Sequence, residues 1–278
     1  MYESSTHDPP ESDRPIISIL TDLEHAIRAD PPKTPTESGR VHPLTRLVMD
    51  QLHHACLQMG PTEPNKLNDE NDQVLTMVSS VMDMLDSNLE ARSRLYKDQA
   101  LGYIFMMNNR RYILQQVKDS DGMKALMEDT WCRKRSSDLR LYHKEYQRET
   151  WGKLLGCLNP DGLTSPANGK PVKPILKERL KSFNSMFDEI HKTQSNWVVS
   201  DEQLQSELRV AISNMVVPAY RSFLGRFSQV FKPGRQTHKY VKYQAEDIEE
   251  YIEDLFCGHE GKKKSKKKDG TKDGAEVV

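Results

Sequence analysis

A chain of 278 residues can bury a sizeable core, as one large domain or two smaller ones. Lys and Arg together number 40 against 41 Asp and Glu, which excludes a polyelectrolyte attracted along its whole length to nucleic acid or membrane. Any such attraction must be local. With 29% charged residues and a mean hydropathy of −0.74, no run approaches the ~20 apolar residues of a membrane span. The first fifteen residues, MYESSTHDPPESDRP, lack the apolar centre of a signal peptide and predict a disordered start. Cys56, Cys132, Cys157 and Cys257 lie far apart without CxxC spacing, which argues against a zinc ribbon or disulfide framework and fits a reducing cytosol.

The first predicted helix carries Ile16, Ile19, Leu20, Leu23 and Ile27 and ends at Asp30-Pro31-Pro32. After a loop with Pro35 and Gly39, Leu44, Leu47, Val48, Leu52, Ala55 and Met59 trace a second. His53, His54 and Cys56 invite a metal reading, but adjacent helical residues point ~100° apart and no third ligand is suitably spaced. Beyond a polar loop, Val74, Met77, Val78, Val81, Met82, Leu85 and Leu89 begin a long periodic segment. Leu101, Ile104, Phe105, Tyr112, Ile113 and Val117 continue it, as one helix or two with a kink near Gly102. Its methionines, Met77, Met82, Met84, Met106 and Met107, suit an irregular core better than a ligand groove.

Another helical pattern runs from Met123 to Leu158 with Trp131 and Trp151 as anchors. On its polar face Arg133, Lys134, Arg135, Arg140, Lys144 and Arg148 interleave with Asp138, Glu145 and Glu149, the mark of a solvated face. The segment 159–171, NPDGLTSPANGKP, reads as a linker between a bundle at 16–158 and a C-terminal bundle at 172–256. From Val172 the core positions are Ile175, Leu176, Leu180, Phe183, Phe187 and Ile190, with Lys173, Lys177, Arg179 and Lys181 outside. Ser200 to Gln203 has the spacing of a capping box, and the helix it starts contains Pro218, which predicts a kink near Val217.

The last folded stretch segregates its charge. Between Phe231 and Tyr243 stand Lys232, Arg235, Lys239 and Lys242 and no acid. Six acids then follow in a helix predicted to start near Gln244, whose stripe is Ile248, Tyr251, Ile252, Leu255 and Phe256. The loop is therefore a cationic tip on a packed helix, or a turn whose lysines pair with the acids that follow. Beyond Cys257, Lys262, Lys263, Lys264, Lys266, Lys267 and Lys268 mark a tail too polar to fold, at 257–278. A lysine cluster of this size also suits a nuclear import receptor. Phosphate-cradle loops, HExxH and nucleophile motifs are absent from the sequence, so neither enzyme nor cofactor is expected. The helix count points to an all-α elongated rod of stacked antiparallel bundles.

Five collinear stretches resemble the C-terminal half of the seventy-kilodalton exocyst subunit family in its plant form. They are VHPLTRLVMD (41–50), ALGYIFMMNNRRYILQQV (100–117), YHKEYQRETWGKLL (142–155), the run from Leu176 to Phe227, and KYVKY with the helix after it. The resemblance implies a rod of helical bundles that tethers secretory vesicles at the plasma membrane before fusion. It implies phosphatidylinositol 4,5-bisphosphate as ligand, with the family's contact lysines falling on Lys239 and Lys242. Lys232 and Arg235 join them by charge alone. Implied partners are that lipid, the anionic membrane surface, other exocyst subunits and small GTPases, with no nucleic acid. A cytoplasmic protein peripheral at the plasma membrane is expected. The alternative is a truncated interaction module, or decoy, that competes with full-length subunits.

Overall fold

Among the described residues the three-and-four spacing of apolar residues folds as helix, and side-chain caps start several of the helices, as at Asp98, Ser120 and Asp201. The computed structural model describes residues 16–58, 69–127, 129–230 and 240–258. The helices are α1 (Ile16–Ala29), α2 (Pro43–Gln58), α3 (Asp69–Ser93), α4 (Gln99–Asp119), α5 (Asp121–Leu126) and α6 (Asp129–Tyr146). A π-turn, Gln147–Gly152, leads into α7 (Lys153–Gly156), followed by α8 (Lys173–Gln194), α9 (Glu202–Arg226) and α10 (Ala245–Glu253). Among the described residues the only β-pairing is two isolated bridges, so the class is all-α.

Two compact units divide the chain. One comprises Met1–Glu37 with Val41–Arg140, and the other Ser38–Arg40 with Leu141–Val278. The loop 159–171 lies wholly in the second unit, because Leu163 is fully buried there and its carbonyl accepts the Val172 N–H at 2.8 Å.

In the first unit α1 packs on α2 and α3, and α4 on α2, α3 and α5. The expected stripe of α1 is buried at Ile19, Leu20, Leu23 and Ile27. Met82, Met106 and Met107 lie in the core, as their gap-filling shape suggests. The long periodic segment is two helices, and the break falls at residues 94–98 rather than at Gly102. Asp98 decides this: its side chain accepts the Ala100 N–H at 2.9 Å and starts α4. Gly102 then lies in the first turn of α4, hard against α3.

Arg135, expected on a solvated face, is buried with Arg110 in an ionic cluster. Arg110 reaches Asp138 at 2.6 Å, Asp86 at 3.0 Å and Glu90 at 3.2 Å. Arg135 pairs with Asp86 and, at 3.2 Å, with Asp83, and its guanidinium covers the Trp131 ring. Asp138, which read as a partner along its own helix, thus binds across to α4, whereas Glu145 keeps its expected partner Arg148. Leu47 and Ile175, placed inside by periodicity, are partly exposed, at 46% and 38%, since the apolar stripe is wider than the face that finds a neighbour.

In the second unit α10 packs on α9, and α7 on α8. Trp151 is fully buried; its indole N–H donates to the Tyr146 hydroxyl at 3.0 Å, and that hydroxyl donates to Gln194 at 2.6 Å. The π-turn spaces Tyr146 and Trp151 so that they meet at i,i+5. Helix α9 begins one residue later than the sequence spacing suggests: Asp201, not Ser200, is the cap, accepting the Leu204 N–H at 2.7 Å. A carboxylate is the stronger acceptor at the positive helix end. The helix runs through Pro218 to Arg226.

Candidate functional site

On α8 the polar positions Lys173, Lys177, Lys181, Asn184 and Asp188 recur at helical spacing and form one stripe. The segment 240–243 lies along this stripe, held by contacts at three levels. Lys177 Nζ stands over the Tyr240 ring, 4.6 Å from its centroid. Asn184 Nδ2 donates to the Tyr240 carbonyl at 2.8 Å. At the C-terminal end, Lys242 Nζ donates to both carboxylate oxygens of Asp188, at 2.7 and 2.6 Å, and the Tyr243 hydroxyl donates to the same carboxylate.

The backbone of the segment is fixed independently of the lysine. Tyr220 on α9 donates its hydroxyl to the Tyr243 carbonyl at 2.8 Å. The Tyr243 ring is buried edge-on against Phe187 and Tyr251, at 5.3 and 5.5 Å. Tyr243 thus packs inward, against α8 and α10. Helix α10 then starts on a capping box in which the Gln244 side chain accepts the backbone N–H of Asp247 and the Asp247 side chain accepts the Gln244 N–H at 2.7 Å.

The charge pairing at this site differs from a simple loop-to-helix neutralisation. Glu246 binds Arg221 at 2.8 Å, Asp247 caps its own helix, and Asp254 faces His191 at 3.9 Å. The acid that takes Lys242 comes from α8, more than fifty residues upstream. Hydrogen bonding to Asp188 and Tyr243 raises the pKa of the Lys242 ammonium above its ordinary range. Burial pushes the Asp188 carboxyl up, but the hydrogen bonds from Lys242 and Tyr243 outweigh it and hold the group below its usual range. Burial and the bond to Asp188 raise the Tyr243 phenol, so it stays protonated and donates. The Lys242 and Asp188 side chains remain about half exposed, at 49% and 44%.

Of the basic residues singled out from sequence, Lys242 is thus placed in a surface ion pair. Lys232, Arg235, Lys239 and Lys262 to Lys268 lie outside the described residues. Arg179 turns away from the stripe to donate to the Gly156 carbonyl at 3.1 Å. Sequence reasoning passed over Asp188 and Asn184, which are the anchors of the segment; their signal was the polar stripe continuing from the lysines at helical spacing. Among the described residues His53 and His54 on α2 converge on no ligand set with Cys56, whose thiol burial pushes up to about 11. Among the described residues no helix is long and apolar enough to cross a membrane.

Comparisons with known proteins converge. Residues 14–254 match the family of the Exo70 exocyst complex component, over the C-terminal region of that family's members. The chain is 54% identical over 256 residues to exocyst complex component EXO70C2 of Arabidopsis thaliana, covering 87% of this chain and 36% of that protein. It is 51% identical over 269 residues to EXO70C1 of the same plant, covering 87% and 41%. It therefore spans about two fifths of these relatives. A solved structure of S. cerevisiae Exo70 superposes with a TM-score of 0.64 at 19% identity, over 87% of this chain and 51% of that one, a likeness of fold.

Proposed function

The chain belongs to the Exo70 family of exocyst subunits, and from that premise we propose that it serves as the membrane-contacting module of a vesicle tether in exocytosis. The observation that carries this reading is the match of residues 14–254 to the C-terminal part of such subunits. Its role is adhesive, not catalytic: it holds a surface through charge and binds partners through helix faces.

The lipid reading rests on the acid-free run from Lys232 to Tyr243. Each basic residue near an anionic leaflet contributes about 1 kcal/mol, so Lys232, Arg235 and Lys239, joined by Lys242 once it leaves Asp188, supply reversible binding without insertion. The six lysines of the tail add to the same field. Phosphatidylinositol 4,5-bisphosphate is the ligand proposed, and the cytoplasmic face of the plasma membrane the place. Other exocyst subunits are the proposed protein partners, with small GTPases as regulators.

Sedimentation with vesicles containing phosphatidylinositol 4,5-bisphosphate tests the lipid part. The Lys239→Ala/Lys242→Ala double variant is expected to bind at least tenfold more weakly than the unaltered chain, roughly 2 kcal/mol for two contacts. Equal binding would rule out these lysines as the site. Affinity capture from plant cells, read for other exocyst subunits, tests assembly.

A further inference from the structure

We propose that Asp188 is a charge gate on Lys242: the ammonium is given up to a ligand carrying closely spaced phosphomonoesters, and withheld from singly charged headgroups. This rests on the membrane reading above and assigns to Asp188 its selectivity. The geometry carries it. Lys242 has three N–H donors and spends two on Asp188, so the pair is neutral as it stands.

Release is open because both side chains are half exposed, and pairs of this kind exchange at little cost. Release is also local. The segment stays on α8 and α9 through the Asn184 bond to the Tyr240 carbonyl and the Tyr220 bond to the Tyr243 carbonyl, neither of which involves the lysine. Asp188 meanwhile keeps the Tyr243 hydroxyl as a donor. Only the Lys242 side chain has to swing.

The contest is then one of charge density. A phosphomonoester carries about −1.5 to −2 at neutral pH, and two on one inositol ring outbid a single carboxylate. A serine headgroup presents no such excess, and Asp188 itself repels a diffuse anionic surface. Among the acids of α10, Glu246 pairs with Arg221 and Asp247 with its own helix start, and the carboxylate on Lys242 is that of Asp188. The nearby imidazole on α8 is His191, which faces Asp254 at 3.9 Å.

The test is Asp188→Asn in the full chain, since asparagine still accepts from Lys242 and Tyr243 but carries no charge. Phosphatidylcholine vesicles are doped with phosphatidylserine or with phosphatidylinositol 4,5-bisphosphate at matched surface charge. The variant is expected to bind serine-lipid vesicles about fivefold more tightly, with a smaller gain on the phosphoinositide, so selectivity falls. Lys242→Gln, which leaves Asp188 and Tyr243 paired but takes away the charge that neutralises the carboxylate, is expected to weaken binding to both vesicles, and to weaken it more on the phosphoinositide. Soluble inositol 1,4,5-trisphosphate should displace the unaltered chain from phosphoinositide vesicles; failure to do so would mean that surface charge, not the headgroup, is read, and the gate falls. If the unaltered chain binds phosphoinositide vesicles but Asp188→Asn keeps the same selectivity, the gate alone is overturned. If the unaltered chain binds neither vesicle, the membrane reading goes and the gate with it.

Discussion

Gly102 packs so closely on Ser93 that a Cβ on the glycine would stand 2.7 Å from the serine carbonyl oxygen. That oxygen is backbone at the end of α3 and cannot step aside without moving the helix. Gly102→Ala gains about 1 kcal/mol of helix propensity but forces an overlap that costs roughly 1–3 kcal/mol. The overlap wins, and the variant is expected to unfold at lower denaturant with the slope unchanged. Urea unfolding followed by circular dichroism reads both quantities.

The Arg110 cluster predicts a contrast between buried and exposed ion pairs. Arg110 is 4% exposed and holds Asp86, Glu90 and Asp138. Arg110→Ala leaves those carboxylates facing one another with Arg135 alone, and is expected to cost about 3 kcal/mol. The Arg148 pair with Glu145 lies on the surface, with the arginine 75% exposed. Arg148→Ala should stay within about 0.5 kcal/mol. Similar losses for the two variants in chemical denaturation would mean that the cluster is not the unit it looks to be.

Tyr146→Phe removes one oxygen that serves two partners. The Trp151 indole N–H loses its acceptor and Gln194 loses its donor, both in a buried site. Leaving two buried groups unsatisfied is expected to cost roughly 2–4 kcal/mol. Gln194 also accepts the Phe256 N–H through its backbone carbonyl, at 3.1 Å, and Phe256 is held at a φ of 64°. Loosening of the C-terminal segment should follow, seen as faster amide exchange at Phe256 in the variant. Unaltered exchange there would detach the network from the C-terminal segment.

Two histidines set the direction of the pH response. Burial and the nearby Arg92 lower the His42 pKa below its ordinary value, and burial lowers that of His143. The unfolded chain then binds more protons than the folded one as pH drops through about 6.5, so stability falls on acidification and is flat above neutrality. His42 Nδ1 also accepts the Leu44 N–H at 3.1 Å at the start of α2, an acceptor that protonation removes. The melting temperature should therefore decline from pH 7.5 to pH 5.5. His42→Asn keeps a capping acceptor without titrating, and should shallow the decline; an unchanged curve would assign the response elsewhere.

The helices themselves were legible because the stripe Ile19, Leu20, Leu23 and Ile27, and its counterparts, depend on local periodicity alone. Caps were legible to within one residue, as with Asp201 in place of Ser200, since neighbouring polar side chains compete for the same N–H groups. The membership of long-range pairs was not legible. Arg135 and Asp138 look like a solvated intrahelical pair, and Lys242 looks like a partner for the acids just after it.

Residue order by itself determined the all-α class, the segregation of basic loop from acidic helix, and the family to which 14–254 belongs. Only the tertiary structure decided which acid meets which base. Asp188 and Lys242 are 54 residues apart in the chain, and what brings them together is the docking of the segment 240–243 along one face of α8. Local propensity acts over a turn or two, whereas an ion pair needs a few ångströms in space, and only packing converts the one scale into the other.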